Sequence, residues 1–176
     1  MKTIIYYFTG TGNSLAAARK IAAALGNTEL VPVASLVQRP ERVVPASDRV
    51  GIVSPVYDAG VPRIMAEFAE RLNLSRAGYT FAIVTMGGTG VSALHQLNGI
   101  FQKGQGRKLD AAFAVKMPGN FPPVGRPPEG GKKDAILKAA DRQFAIIAQT
   151  IDQGITVPPG ISPVSSLMRC LLYPPF

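Results

Sequence analysis

Six consecutive residues, Thr9-Gly10-Thr11-Gly12-Asn13-Ser14, gather hydroxyls, an amide and two glycines without one charged side chain. Glycines let a backbone curl until its N–H groups converge, and a helix opening just beyond adds a partial positive charge. The hydroxyls of Thr9, Thr11 and Ser14 and the amide of Asn13 can bond phosphate oxygens. With no Lys or Arg in the loop, the pattern suits one phosphate held by neutral donors. Two common phosphate motifs are excluded. A Walker A loop needs Gly-Lys-Ser/Thr, and that triplet occurs nowhere in the chain. A dinucleotide fingerprint needs a third glycine where Leu15 stands. The bland alternative is an ordinary turn with a Ser/Thr helix cap.

Three further segments leave expected strands with unusual residues. They are Ser54-Pro55-Val56-Tyr57-Asp58-Ala59-Gly60, Thr85-Met86-Gly87-Gly88-Thr89-Gly90 and Met117-Pro118-Gly119-Asn120-Phe121. Tyr57 offers an aromatic face for stacking. The glycines of the second segment permit close backbone approach to a ligand. Other chemistries find little here. One histidine, His95, is too few for a His-based metal cage, and no Ser-His-Asp triad can be defended around it. One cysteine, Cys170, rules out an internal disulfide, a cysteine-rich zinc site and an iron–sulfur cluster within this chain. His95, between Leu94 and Leu97, reads as a surface or cap residue. No spacing suggests a pair of catalytic carboxylates.

The elements that must hold these loops alternate along the chain. Residues 3–8 are a β-branched and aromatic run, a buried strand ended by Thr9-Gly10. From Asn13, Leu15, Ala18, Ala22 and Leu25 mark one face of a helix that stops at Gly26. Residues 30–33 form a short strand in which Pro32 limits pairing. Residues 34–47 read as irregular or one short helical turn. Residues 50–53 are a third strand, and Val61, Ile64, Met65, Phe68 and Leu72 mark the next helix. Residues 79–84 are a fourth strand, followed by a helix on Val91, Leu94, Leu97 and Phe101. Residues 111–117 are a fifth strand. A Pro- and Gly-rich loop covers 118–131, with Lys132-Lys133 as a solvated helix start that could join a docking face. A last helix uses Ile136, Ala140, Phe144, Ile147 and Ile151. The pattern predicts an α/β domain with a parallel sheet covered on both faces, over residues 1–153. Residues 154–176 read as a Pro-rich tail that packs on the domain or leads to a partner.

At 176 residues the chain is one domain long, and 47% hydrophobic against 17% charged residues argues for a folded core. The net charge is +8, spread without runs. It favours an acidic protein or an anionic ligand over nucleic acid. Met1-Lys2-Thr3 leads into an apolar run too short for a secretory or membrane segment, so the expected compartment is the cytoplasm.

Tyr7-Phe8-Thr9-Gly10-Thr11-Gly12-Asn13-Ser14 resembles the FMN-phosphate loop of flavodoxins. The wording is most similar to the flavodoxin domain of two-domain flavodoxin–ferredoxin proteins, and the strand–helix order over 1–153 agrees. The resemblance implies a flavodoxin-like three-layer sandwich with a five-stranded parallel sheet in the order 2-1-3-4-5. It implies FMN as cofactor, its phosphate on Thr9, Gly10, Thr11, Gly12, Asn13 and Ser14. Ser54, Pro55, Val56, Tyr57 and Asp58 would line the isoalloxazine ring, with Tyr57 stacked on a face and Gly60 or the Tyr57–Asp58 backbone near flavin N5. Thr85, Met86, Gly87 and Gly88 would meet the pyrimidine edge, with Thr89 and Gly90 closing that loop. Asn120 and Phe121 would lie near the flavin edge.

The resulting expectation is an electron carrier with no catalytic residue and no metal, exchanging electrons with a ferredoxin or other iron–sulfur partner. Proteins of that two-domain type continue into a cysteine-rich ferredoxin, whereas this sequence reaches Tyr173-Pro174-Pro175-Phe176 with one cysteine. The ferredoxin half is therefore expected to be lost, separate or removed. The basic balance also departs from the acidic one usual in flavodoxins, and it suits an acidic ferredoxin. Two alternatives stand beside this. One is an FMN-dependent NAD(P)H or quinone reductase with a pocket from residues 118–131. The other is a non-redox binding or scaffold module that has lost flavin.

Overall fold

In the computed structural model, residues 1–39, 41–120 and 125–160 are described. Five strands form one sheet: β1 (Thr3–Tyr7), β2 (Thr28–Pro32), β3 (Arg49–Pro55), β4 (Tyr79–Met86) and β5 (Ala111–Lys116). Their order is β2-β1-β3-β4-β5 and every pairing is parallel. Helices α1 (Asn13–Leu25), α2 (Arg63–Arg71), α3 (Val91–Gln105) and α4 (Gly130–Asp152) make the crossovers, with a short 3-10 turn at Val33–Leu36. The expected sandwich and strand order are therefore the observed ones.

β1, β3, β4 and β5 are largely buried on both faces because helices cover both sides of a parallel sheet, whereas the edge strand β2 has no buried residue. On one side Tyr6, Ile52, Val84 and Ala112 meet Met65 and Phe68 of α2 and Leu94, Leu97 and Phe101 of α3. On the other, Ile5, Val53, Phe81, Ile83 and Phe113 meet Ala17, Ala18 and Ile21 of α1 and Phe144, Ile147 and Ile151 of α4. The small residues of α1 let it lie close to the strands. Gly51 makes room within the second core: a Cβ there would sit 2.3 Å from the Phe81 ring.

Boundaries moved where tertiary pairing overrode local pattern. β2 begins at Thr28, two residues before the apolar pattern, because β1 supplies partners from Thr3↔Thr28 onward. The last helix begins at Gly130 rather than beyond Gly131, although nothing in it is buried before Ala140.

The amino ends of the strands are tied together by polar groups far apart in sequence. Arg49, only 4% exposed, donates from Nη2 to Asp152 Oδ1 at 2.9 Å and to the Asp152 carbonyl at 3.1 Å. The Tyr79 hydroxyl donates to the Ile155 carbonyl at 2.7 Å. The chain after α4 then turns alongside β5. Val157 N–H donates to the Asp110 carbonyl and Ala112 N–H to the Val157 carbonyl, both at 2.9 Å. No helix among the described residues is long and apolar enough to cross a membrane.

Candidate functional site

The carboxyl ends of β1, β3, β4 and β5 bring four loops to one end of the sheet. Strand order reverses between β1 and β3, and open α/β sheets bind ligands at such a reversal. The first loop runs from the end of β1 into α1. Gly12 has φ 93°, a conformation that costs glycine nothing and other residues about 1 kcal/mol or more. Its N–H donates to Thr9 Oγ1 at 3.0 Å. Ala16 N–H closes the first helical turn onto the Gly12 carbonyl at 2.9 Å. Helix α1 has no side-chain cap and no acidic residue in its first turn. Its leading amides at Asn13, Ser14 and Leu15 thus have no protein acceptor among the described residues. That donor set, with the exposed Thr11 hydroxyl, matches a phosphate dianion.

Two side chains of this loop brace it instead of facing outward. Ser14 Oγ and Thr85 Oγ1 lie 2.9 Å apart, both buried, and join α1 to the end of β4. Asn13 Nδ2 donates to the Pro118 carbonyl at 2.9 Å and joins the same helix to the loop after β5. These are contacts across 71 and 105 residues, so no local pattern could reveal them.

The second loop is a tight turn. Tyr57 and Gly60 exchange N–H···O bonds of 2.9 Å in both directions. Asp58 and Ala59 between them have φ 47° and 65°, so two non-glycine residues hold left-handed backbone. Helix α3 holds the turn in place. Ser92 Oγ donates to the Ala59 carbonyl, and Gln96 Oε1 accepts from Val61 N–H at 2.9 Å. Neither Ser92 nor Gln96 stands out in the sequence. Tyr57 is 47% exposed, and its hydroxyl rests on the first loop: a Cβ on Gly10 would lie 2.2 Å from it. Ser54 is buried at the end of β3, its hydroxyl donating to the Pro55 carbonyl at 3.1 Å, with Pro55 and Val56 half-buried behind the turn.

The third and fourth loops touch backbone to backbone. A Cβ on Gly87 would lie 3.0 Å from Gly119 Cα, and Met117 N–H donates to the Met86 carbonyl at 2.8 Å. Gly88, Thr89 and Asn120 are exposed, and Met86 is half-buried. Gly90 is packed closely against Val84 and Met86. Phe121 lies outside the described residues.

The expected binding residues other than Phe121 thus converge at one end of the sheet. The ensemble is an open cradle. Two surface grooves lie elsewhere, one of about 590 Å³ along α3 near His95 and Lys103, the other of about 780 Å³ between α3 and Pro158-Pro159. Neither is lined by the four loops. Within those loops, among the described residues, Tyr57 and Asp58 are the only ionisable side chains. No group of three or more His, Cys, Asp or Glu that could hold a metal occurs among the described residues.

A family model described as a flavodoxin domain matches residues 4–116, from β1 to the last residue of β5. No curated protein matches the chain. Among solved structures, an azoreductase from Bacillus anthracis str. Sterne aligns at a TM-score of 0.55 and 12% identity, covering 85% of this chain and all of that one. A flavoprotein in complex with FMN from Lactobacillus acidophilus NCFM aligns at 0.51 and 15% identity, covering 64% of this chain and 92% of its own. The Trp repressor binding protein from Bacillus subtilis aligns at 0.51 and 19% identity, covering 79% and 96%. At these identities the three share its fold.

Proposed function

The chain belongs to the flavodoxin domain family, and from that premise we propose that it binds FMN at the carboxyl ends of β1, β3, β4 and β5 and carries electrons. FMN supplies the electron-accepting and electron-donating chemistry when bound. The uncapped start of α1 carries this reading: its amides and the Thr11 hydroxyl form a neutral cradle for a terminal phosphate. Thr9 and Gly12 shape that cradle through their mutual hydrogen bond. Ser14 and Asn13 act mainly by holding it against Thr85 and Pro118. Tyr57 offers its ring to the flavin face, and the Tyr57–Gly60 turn offers backbone groups to the flavin's central edge. Thr85, Met86, Gly87 and Gly88 line the pyrimidine side, with Asn120 and Phe121 beside it. Residues 1–153 are the FMN domain in this proposal, and 154–176 are its tail.

The electron-carrier role is favoured over a substrate-specific reductase because no group placed as a general acid or base stands among the described residues of the four loops. Neither Tyr57 nor Asp58 is buried or backed by a third group that would orient it for proton transfer. Protons can reach the exposed cradle from solvent. The partner proposed is a ferredoxin or another iron–sulfur protein. The azoreductase likeness keeps an NAD(P)H-dependent reductase as the contrasting outcome.

A visible absorption spectrum, taken after FMN is added and excess removed by desalting, tests the proposal. Flavin bands should remain with the protein, and should be lost when Thr11→Ala and Ser14→Ala are combined. A chain that retains no flavin would overturn FMN binding. Rapid hydride transfer from NAD(P)H to bound flavin would replace the carrier role with the reductase.

A further inference from the structure

Two non-glycine residues in succession hold left-handed backbone between Tyr57 and Gly60: Asp58 at φ 47° and Ala59 at φ 65°. Tyr57 and Gly60 are bonded to each other in both directions at 2.9 Å, so the segment is a two-residue hairpin with positive φ at both central positions. Asn-Gly is the usual pair in such a turn. Aspartate tolerates the conformation. Alanine has no polar side chain to bond the backbone locally, and its Cβ crowds the following carbonyl. Such strain persists only where the surroundings over-determine it, and it gathers at ligand clamps.

The surroundings here are the first turns of α3. Ser92 Oγ donates to the Ala59 carbonyl. Gln96, one turn further along the same helix, accepts from Val61 N–H through Oε1 at 2.9 Å. The same oxygen lies 2.8 Å from where a Cβ on Gly60 would stand. The two side chains therefore grip the turn on both sides of Gly60. Helix α3 itself needs neither. Serine at a helix start commonly caps it, yet α3 has no side-chain cap, and the Ser92 hydroxyl is committed to Ala59. Both side chains are exposed, so burial does not account for them. The shape of the turn reaches the cradle through Tyr57, whose hydroxyl rests against Gly10 of the first loop. A turn relaxed at Ala59 would break the Tyr57–Gly60 pairing and carry the ring away from that loop.

We propose that Ser92, assisted by Gln96, is a positioning residue for FMN. It holds the strained Asp58–Ala59 turn in the conformation that presents Tyr57 and the turn's backbone to the flavin. The proposal deepens the FMN reading above and rests on it. A wall shaped in advance means that binding need not order the turn, which strengthens affinity without any contact between Ser92 and the ligand.

The test is a fluorescence titration of the flavin-free protein with FMN, beside amide exchange followed by NMR before FMN is added. Ser92→Ala should raise Kd about fivefold or more and speed exchange of the Gly60 amide. The melting temperature should fall by less than about 2 °C, as for other exposed changes. Ser92→Thr keeps a hydroxyl and should restore both readouts. Ala59→Gly removes the strain that the clamp opposes, so in its presence Ser92→Ala should move Kd less than about twofold. A Kd unmoved by Ser92→Ala, or the same loss with and without Ala59→Gly, would overturn the positioning role. Gly60 exchange unchanged by Ser92→Ala would overturn the clamp without reference to any ligand. A wild-type chain that takes up no FMN would instead overturn the FMN reading, and the ligand named here with it.

Discussion

The Tyr57 hydroxyl lies directly on Gly10, in the place a side chain at that position would need. The second loop thereby leans on the first, and a flat ring entering between them must move an exposed tyrosine rather than buried core. Tyr57→Ala should leave the melting temperature within about 2 °C, since surface changes are worth about 0.5 kcal/mol or less. It should weaken FMN at least tenfold in a fluorescence titration, as stacking on the ring is lost. An unchanged Kd would remove Tyr57 from the site.

Ser14 and Thr85 satisfy each other in a buried position. Removing one hydroxyl strands the other, at about 1–2 kcal/mol. Ser14→Ala and Thr85→Val should each cost about that much in urea unfolding, while the double variant costs less than their sum. Strict additivity would mean the two groups do not act as a pair.

Gly51 and Phe81 fit only because one of them has no side chain. The ring is fully buried and cannot swing aside. Gly51→Ala should therefore destabilise the fold by about 1–3 kcal/mol, a fall of several degrees in Tm. A neutral outcome would show that the sheet can spread there.

At high pH the fold should weaken as two buried phenols are forced to ionise. Burial, helped by the nearby Glu29 carboxylate, pushes the Tyr6 phenol up to about 12. Burial raises Tyr79 as well, with Asp110 adding to the rise and Arg49 opposing it. A phenol whose folded pKa exceeds its unfolded value of about 10 favours the folded state below pH 10. That contribution fades as pH climbs from 10 through the folded values. Stability followed by chemical unfolding should thus decline from about pH 10 upward, and Tyr6→Phe should flatten the decline. A Tyr6→Phe chain with the wild-type alkaline slope would contradict the assignment.

Much of the architecture could be read from residue order. The apolar runs at 3–8, 50–53, 79–84 and 111–117 became β1, β3, β4 and β5 because both faces of each are covered. Gly26 and Gly106 stop their helices with left-handed or otherwise positive φ angles. The loop at Thr9–Ser14 announced its place through glycine and hydroxyl spacing alone. What stayed hidden depends on distance along the chain. Ser14 meets Thr85, Asn13 meets Pro118 and Arg49 meets Asp152 only after the sheet has assembled. The strained pair Asp58-Ala59 was also invisible, since neither residue type advertises positive φ as glycine does; Ser92 and Gln96 of α3 impose it. The start of α4 carried no signal because residues 130–135 are all exposed, so the apolar spacing begins only at Ile136.

Val157 has a consequence beyond holding the end of α4. A parallel sheet leaves a row of unpaired amides and carbonyls along each outer strand, and such rows invite strands from other molecules. Val157 occupies the lower part of that row on β5, and Pro158 and Pro159, which carry no N–H, stop the pairing from being continued by a foreign chain. The upper part of β5 ends in exposed Lys116, and the opposite border ends in Pro32. The β5 border of the sheet is thus blunted against self-association, while among the described residues Thr28 to Val31 of β2 remain without a second strand.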